Sequence, residues 1–265
     1  DLWCASEFRN DPNLSWETVM KNNLGFEITL ADKYRFKLEG YYNLTTDMLS
    51  MDPLSLTSGF SSALSNVGSM SNRGVEFEWD LRLLNTTNSA WRFNGNVAYN
   101  IAIMEKVNSV SNEIDNTSYV LREGERFGTF YLVRYAGVDP LKGNPLWYTA
   151  DGKLTDTYSI SDRVLLKNKS FMPPLTGGFG SDYSYKNFSA SVFFSWVANR
   201  YMLNQSSNFS ESNGRWKEYN QGVNMLNTWQ KPGDVSPYPD PSYSSNQTDT
   251  RYLTNGSFLL FKNIT

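Results

Sequence analysis

Histidine is missing from this sequence of 265 residues, and only one cysteine, Cys4, is present. Without histidine, the chain cannot build a Ser-His-Asp or Cys-His catalytic site from its own residues. It also lacks the commonest metal-binding side chain. A single cysteine excludes a disulfide bond within the chain. Composition alone excludes only these two catalytic sites. We nevertheless expect a protein that is not an enzyme and that uses neither a cofactor nor a metal ion.

Long apolar runs and a strong net charge are also missing. No stretch approaches the roughly 18 consecutive apolar residues of a transmembrane helix, and residues 1–15 lack the basic start and apolar core of a signal peptide. The formal net charge is only −3, so composition gives no reason to expect nucleic-acid binding. Aromatic residues, in contrast, make up 15% of the chain, so their positions carry information.

Several segments alternate between apolar and polar residues, as a β-strand with two different faces does. In residues 72–84 (NRGVEFEWDLRLL), the odd-numbered residues from 75 to 83 are apolar, and the even-numbered residues from 76 to 82 are charged. We therefore predict an antiparallel, all-β fold. Further predicted strands lie in residues 23–30, 33–44, 91–103, 177–186, 187–196 and 251–265.

The connections between the predicted strands differ in length. Residues 31–33, 85–90 and 186–187 form short turns. The other connections, about 48–72, 104–174 and 198–250, are long and polar. Short turns at one end and long loops at the other are typical of a transmembrane β-barrel. Within the second long connection, the segments TFYLVRYAGV and NPLWYT are predicted to pair as a hairpin.

Two folds fit this alternation. A soluble β-sandwich, for example a carbohydrate-binding domain, buries its apolar faces between two sheets, whereas a transmembrane barrel turns them toward lipid. The charged runs on the polar faces favour the barrel, because they suit the wall of a wet lumen. Aromatic residues beside the short turns also favour it, since aromatic girdles lie at the bilayer interfaces. These residues are Tyr34, Trp91, Tyr185 and Phe188.

Six segments then follow one another in a family-specific order. They are DPNLSWET (11–18), TSGFSSALSNVGSMSNRGVEFEW (57–79), FGTFYLVRYAGVDPLKGNPLWYTADGKLT (127–155), DRVLLKNKSFMPPLTGGFGSDYSYKNFSASVFFSW (162–196), TWQKPGD (228–234) and RYLTNGSFLLFKNIT (251–265). Together they resemble the SusC/RagA family of TonB-dependent outer-membrane transporters of Bacteroidetes. Each segment is a weak signal alone, but six in order along nearly the whole chain are specific.

The resemblance implies an antiparallel transmembrane β-barrel with short periplasmic turns and long extracellular loops. Residues 1–265 would be a partial barrel domain within a plugged barrel of about 22 strands, because the signal peptide, plug domain and final strands of the family find no match here. The implied function is the import of oligomeric nutrients, glycans or peptides, across the outer membrane. The implied partners are a SusD-like surface lipoprotein, TonB acting through the plug segment, and outer-membrane lipid.

Five aromatic residues of the predicted extracellular loops are candidates for contact with a substrate or a partner. Exposed aromatic rings can stack on sugar rings or on peptide side chains. Alternatively, these rings pack the loops against each other or against a partner, and the sequence leaves both interpretations open. The candidates are Trp147, Tyr148, Trp216, Tyr219 and Trp229.

Residues 139–156 combine Asp139, Asp151 and Asp156 with Gly143 and Gly152. Carboxylates in a glycine-rich loop can bind Ca²⁺. However, their spacing is not that of an EF-hand, and glycine beside aspartate is equally typical of ordinary turns. We therefore predict a turn here and no metal site.

Overall fold

The computed structural model describes residues 8–10, 14–60, 62–109, 112–216, 218–243 and 247–265. Within these ranges the chain is almost entirely β-structure, as its alternation predicts. Cys4 and the first three residues of the DPNLSWET segment lie outside the described residues. In the described part, no helix has the length and apolar character needed to cross a membrane.

The strands of the described residues vary widely in length, and helices are few and short. One α-helix, α1, covers Gln205–Ser210, and 3-10 turns cover Leu56–Ser58, Ile160–Asp162, Val223–Asn227 and Thr250–Tyr252. The strands are β1 (Phe8–Asn10), β2 (Thr18–Leu30), β3 (Tyr34–Pro53), β4 (Ser62–Asn85), β5 (Ser89–Val107), β6 (Glu113–Asp115), β7 (Val120–Arg122), β8 (Thr129–Val138), β9 (Pro145–Tyr148), β10 (Leu154–Thr155), β11 (Arg163–Ser170), β12 (Leu175–Tyr185), β13 (Phe188–Ala198), β14 (Tyr201–Leu203), β15 (Leu253–Asn255) and β16 (Phe258–Ile264).

Seven of these strands form one antiparallel sheet in the order β16-β13-β12-β5-β4-β3-β2. The predicted short turns are confirmed, because residues 31–33, 86–88 and 186–187 connect neighbouring strands at one end, called here the turn end. Ala31, Asp32 and Lys186 have positive φ angles of 50°, 53° and 53°, which tight hairpin turns need. The connections from β3 to β4, from β5 to β12 and from β13 to β16 lie at the opposite end, called here the loop end.

The sheet has one apolar and one charged face, as the alternation predicts. Direct cross-strand partners share a face, and the register pairs Phe36 with Trp79 and Phe179 with Phe194. The apolar face carries seven rings, each with its centroid 5.0 to 6.5 Å from the next, that cross six strands. In order, the rings belong to Phe36, Phe77, Trp79, Phe93, Phe179, Phe194 and Phe261.

The β-sandwich alternative is wrong. A sandwich covers the apolar face of each sheet with a second sheet, whereas every described residue of β2 is exposed. Leu24 and Phe26 each expose 66% of their surface, and Phe188 exposes 79%. In the part of the chain that the structure describes, an apolar sheet face of this size is therefore left uncovered.

Strands β3, β4 and β5 extend far beyond the predicted segments. They contain 20, 24 and 19 residues, whereas a tilted strand needs roughly 9–11 residues to cross a bilayer. The prediction of a loop over about 48–72 is therefore wrong, because most of those residues belong to β3 and β4. Their loop ends are stabilised by a small core that also includes the β6–β7 hairpin. This core consists of Met48, Val67, Met104, Val107, Ile114 and Leu121.

A second sheet lies at the loop end, in the order β10-β9-β8-β11. The predicted hairpin is confirmed, since β8 and β9 pair antiparallel. The sequence did not predict β11, which pairs with the other edge of β8. The described parts of residues 112–174 and 199–257 pack together around this sheet, and we call them the loop unit. The prediction that 198–250 is a loop holds only in part, because α1 lies inside it and β14 pairs with β15 at its border.

Candidate functional site

The charged face of the large sheet is the first candidate surface. Its ion pairs run between neighbouring positions. The shortest Arg35–Glu27 contact is 3.3 Å and the Lys37–Glu39 contact is 3.0 Å. Exposed pairs of this kind add little to stability. They make this face ionic over β2, β3, β4 and β5.

One pair on this face has a more defined geometry. The Arg92 guanidinium donates to both carboxylate oxygens of Asp80, with distances of 2.7 and 2.5 Å. Asn94 and Asp182 continue the polar network, with 3.3 Å between the amide nitrogen and the carboxylate. A cavity on this face is lined by Asp80, Arg92, Asn94 and the ring of Phe193. In this part of the charged face, hydrogen bonds therefore fix the positions of the polar side chains.

Aromatic rings cover glycines at several positions of the sheet. Gly95 is the direct cross-strand partner of Trp79, and a Cβ atom added there would lie 2.4 Å from the indole Cζ2. In the same way, Trp196 lies over its partner Gly177. A large ring resting on a bare backbone fills the space that a glycine leaves in a strand.

Asp249 is the centre of the loop unit. Its side chain is fully buried and accepts hydrogen bonds from the indole Nε1 of Trp147 at 2.9 Å and from the backbone N–H of Arg251 at 2.9 Å. The Arg251 guanidinium lies 3.3 Å away. Burial raises the pKa of the Asp249 carboxyl above its ordinary value, although Arg251 and Trp147 act in the opposite direction. A buried carboxylate needs such partners to remain in a core.

The same contacts attach the segment around residue 249 to the second sheet. Asp249 forms a parallel bridge with Val133 of β8, and the Thr250 hydroxyl accepts a hydrogen bond from the Tyr135 backbone at 2.9 Å. The Arg251 guanidinium stacks over the ring of Tyr135, 4.5 Å from its centroid. Burial raises the pKa of Tyr135 to about 12. This region therefore behaves as the core of a folded unit.

Two of the five predicted contact residues are buried inside the loop unit. Trp147 is 3% exposed and lies edge-on between Tyr135 and Tyr158, with ring centroids at 6.3 and 5.6 Å. Trp229 is 8% exposed, and its Nε1 donates to the carbonyl of Pro140 at 3.0 Å. These positions agree with the packing interpretation that the sequence left open.

The other three predicted contact residues are exposed. Tyr148 is 36% exposed, and the Arg134 guanidinium lies over its ring at 5.4 Å. Trp216 and Tyr219 are 37% and 58% exposed, and both contact Phe209 of α1 with centroid distances of 5.9 and 4.9 Å. The structure thus separates the five residues into a buried pair and an exposed set.

The loop that begins at Asp139 is a turn, as predicted. The Asp139 carboxylate accepts a hydrogen bond from the Leu141 backbone at 2.8 Å, and its carbonyl accepts one from Gly143, also at 2.8 Å. Gly143 has a φ angle of 73°, and a Cβ atom there would lie 2.4 Å from the Trp229 ring. Glycine is required at this position by both the backbone conformation and the indole.

Sequence reasoning missed Asp249 and Arg251 as organising residues. A single aspartate in a polar segment gives no local signal of burial, because its side-chain partner Trp147 lies 102 residues away. The aromatic partner of Arg251, Tyr135, is just as distant in the sequence. The segment RYLTNGSF was predicted only as a strand, and its first residues form a 3-10 turn instead.

Comparisons with known proteins identify relatives of this architecture. The family model described as "TonB dependent receptor-like, beta-barrel" matches residues 4–243. TonB-dependent receptor P3 of Formosa agariphila is 29% identical over 285 aligned residues, which cover 98% of this chain and 28% of that protein. SusC of Bacteroides thetaiotaomicron is 22% identical over 230 residues, which cover 76% of this chain and 22% of SusC.

Solved structures agree with this comparison. The structure of the RagAB peptide transporter matches 96% of this chain and 29% of its own, with a TM-score of 0.85 and 30% sequence identity. The RagAB peptide importer in the "open-open" state matches with a TM-score of 0.82 and 31% identity. This chain thus spans less than a third of the length of the relatives it matches. Their names are those of receptors and transporters, which fits the expectation of a protein that is not an enzyme.

Proposed function

This chain belongs to the TonB dependent receptor-like β-barrel family, and we propose that it forms part of the wall of an outer-membrane transporter. The observation that carries the proposal is the two-faced sheet. Its apolar face is exposed over seven strands, and its opposite face is wetted by ion pairs. A barrel wall needs this combination, with lipid outside and a polar lumen inside.

In this function the turn end faces the periplasm and the loop end faces the outside of the cell. The aromatic residues Trp91, Tyr185 and Phe188 lie beside the turns and expose 42%, 46% and 79% of their surface. Aromatic rings prefer the headgroup region of a bilayer. Among the described residues, β2 and β16 each pair with one strand of the large sheet. Since an open sheet edge is not tolerated in lipid, we propose that further strands of the complete protein close the barrel.

The transported material is proposed to be an oligomeric nutrient, a glycan or a peptide. The RagAB relatives are described as peptide transporters and importers, which favours peptides. Energy would come from TonB through a plug segment outside this chain, as the family resemblance implies. The charged face would then meet the plug and the water around it.

We propose that the loop unit also docks a SusD-like surface lipoprotein. The exposed cluster of Phe209, Trp216 and Tyr219 supplies aromatic surface of the kind that anchors protein interfaces. It stands on α1, which the packed loop unit supports. Partner binding would then use the exposed aromatic residues, whereas Trp147 and Trp229 would hold the loops in shape.

Uptake measurements on cells test the transport proposal. Deleting the gene of the complete protein should abolish uptake of fluorescent oligopeptides or oligosaccharides, and the intact gene should restore it only when TonB is present. Uptake that survives the deletion would contradict the proposal.

Co-purification tests the partner. Replacing Trp216 and Tyr219 together by alanine should weaken recovery of the lipoprotein with the folded barrel. The matched control is Leu154→Ala, which removes an exposed apolar side chain of β10 (60% exposed) outside the cluster. If the control variant lost the lipoprotein to the same extent, the cluster would not be the docking site.

A further inference from the structure

A cavity of about 440 Å³ lies within the loop unit, lined by residues of β9, by residues 156–158, and by Tyr243 and Gln247. The side chains that decide its chemistry are Trp147, Asp156, Thr157, Tyr158, Tyr243 and Gln247.

The charge of this cavity comes from one residue. Asp156 is the only charged side chain among the described residues that line it. Its carboxylate accepts a hydrogen bond from the Thr157 hydroxyl at 3.3 Å, and no lysine or arginine of the described chain forms an ion pair with it. The charge of Arg163 acts on Tyr158, which lines the cavity. The Arg163 guanidinium, however, forms its ion pair with Asp115. Among the described residues, the Asp156 carboxylate of this cavity is therefore without a cationic partner.

Aromatic rings line the same cavity as this carboxylate. Tyr158 and Tyr243 border the cavity, and Tyr243 is 41% exposed. The electron-rich faces of aromatic rings attract ammonium and guanidinium groups. A carboxylate and aromatic rings in one cavity therefore favour a cation over a neutral or anionic group.

Sugar recognition fits the same cavity less well. A sugar ring stacks on an open aromatic face, and the largest ring here, the indole of Trp147, is only 3% exposed. Tyr135 and Tyr158 contact it edge-on, and its N–H is already given to Asp249. Trp147 thus lines the cavity, but its ring is too buried for a sugar to stack on it.

We propose that this cavity is a subsite for a cationic side chain, a lysine or arginine, of an oligomeric peptide. The inference rests on the proposed transport function and makes its substrate class specific. The cavity lies at the loop end of the sheet, where an incoming substrate would arrive first. Asp156 would pair with the cation, and Tyr243 would contact its alkyl stem or its charge.

Binding of matched peptides tests this subsite. The complete protein, purified with its lipoprotein, is titrated calorimetrically with a capped oligopeptide containing one lysine and with the same peptide containing norleucine. Because an exposed ion pair and an exposed cation–π contact are both weak, the lysine peptide should bind about 3- to 30-fold more tightly. Raising the salt concentration should reduce this preference, since salt screens exposed charges.

Two carboxylate variants separate the site from general electrostatics. Asp156→Asn should remove the preference for lysine. Asp151→Asn changes an exposed carboxylate of the same loop that does not line the cavity, and it should leave the preference intact. Equal affinity for the two peptides, or equal losses in the two variants, would overturn the inference.

Uptake of the same two peptides distinguishes this inference from the proposed function. If cells import both peptides equally and the purified protein binds them equally, the subsite is refuted while transport stands. If deletion of the gene leaves the uptake of both peptides and of a neutral oligosaccharide unchanged, the transport function itself is refuted.

Discussion

The contact between Trp79 and Gly95 gives a quantitative test of the sheet. In Gly95→Ala, the new Cβ would lie 2.4 Å from Cζ2 of Trp79 and 2.7 Å from the carbonyl oxygen of Gly178. Real Cβ contacts are never this short, so the indole and the neighbouring strand must move. Overpacking of this kind costs about 1–3 kcal/mol. Alanine also lowers the conformational entropy of the unfolded chain, which stabilises the protein by about 0.4–1 kcal/mol. The net loss of stability should therefore be about 1–2 kcal/mol.

A matched glycine supplies the control. Gly40 lies on the same apolar face, and a Cβ there would have its nearest neighbour, the carbonyl oxygen of Gly74, at 4.0 Å. Gly40→Ala should therefore be neutral or stabilise the protein by up to about 1 kcal/mol. The free energy of unfolding would be measured for the complete protein in liposomes, by urea titration with gel mobility as the readout of the folded fraction.

A double-mutant cycle isolates the ring. In a Trp79→Ala background, Gly95→Ala should cost less than in the native background, with a coupling of about 0.5–3 kcal/mol. The rescue should be incomplete, because the Gly178 carbonyl remains close. Equal effects of alanine at Gly95 and Gly40, or additive effects of the two changes at Trp79 and Gly95, would refute the argument that the ring rests on the bare backbone.

Three further outcomes are expected. Trp79→Arg should destabilise the inserted barrel by roughly 2–4 kcal/mol if it faces the bilayer centre, and Glu78→Gln should hardly change its stability; equal costs would reverse the assigned faces. After replacement of the native cysteine, Ser58→Cys at the loop end should react with a membrane-impermeant maleimide on intact cells, and Asn88→Cys at the turn end should not; the opposite labelling would invert the sidedness. Burial raises the pKa of Asp249 in the folded protein above its ordinary value of 3.8. The folded protein therefore binds the carboxyl proton of Asp249 more tightly than the unfolded chain does. The stability of the segment around Asp249 should consequently fall as the pH rises through the raised pKa. Hydrogen exchange of that segment measures this slope, which should disappear in Asp249→Asn; a slope unchanged in that variant would assign it to another group.

The central part of the sheet was predictable because its information is local. Successive side chains of a strand point to opposite faces of the sheet. The sequence of residues 72–84 was therefore enough to predict the two faces of β4. The hairpin turns were predictable from their length. Strand number and closure of the barrel remain predictions, since the seven paired strands of the large sheet do not determine them.

The loop end was less predictable because long-range packing decides it. Residues 62–71 alternate poorly and contain many small polar side chains, yet they continue β4 because Val67 packs on Met104 and Met48. Likewise, Trp147 and Tyr148 are neighbours in a strand, and nothing local tells which of them is buried. The burial of Trp147 depends on Asp249, 102 residues away.

This last distance has a consequence for the order of folding. The chain between Trp147 and Asp249 includes β11, β12 and β13, and two of these strands belong to the wall. Contacts between residues so far apart form only when the intervening chain has been arranged, because closing a long flexible loop is entropically unfavourable. The loop unit should therefore become fully protected from proteases only after β12 and β13 have paired. Protease resistance of the loop unit would then appear late in folding, after the strands of the large sheet have paired correctly. A barrel with a misplaced strand should be recognisable because proteases still cleave its loop unit.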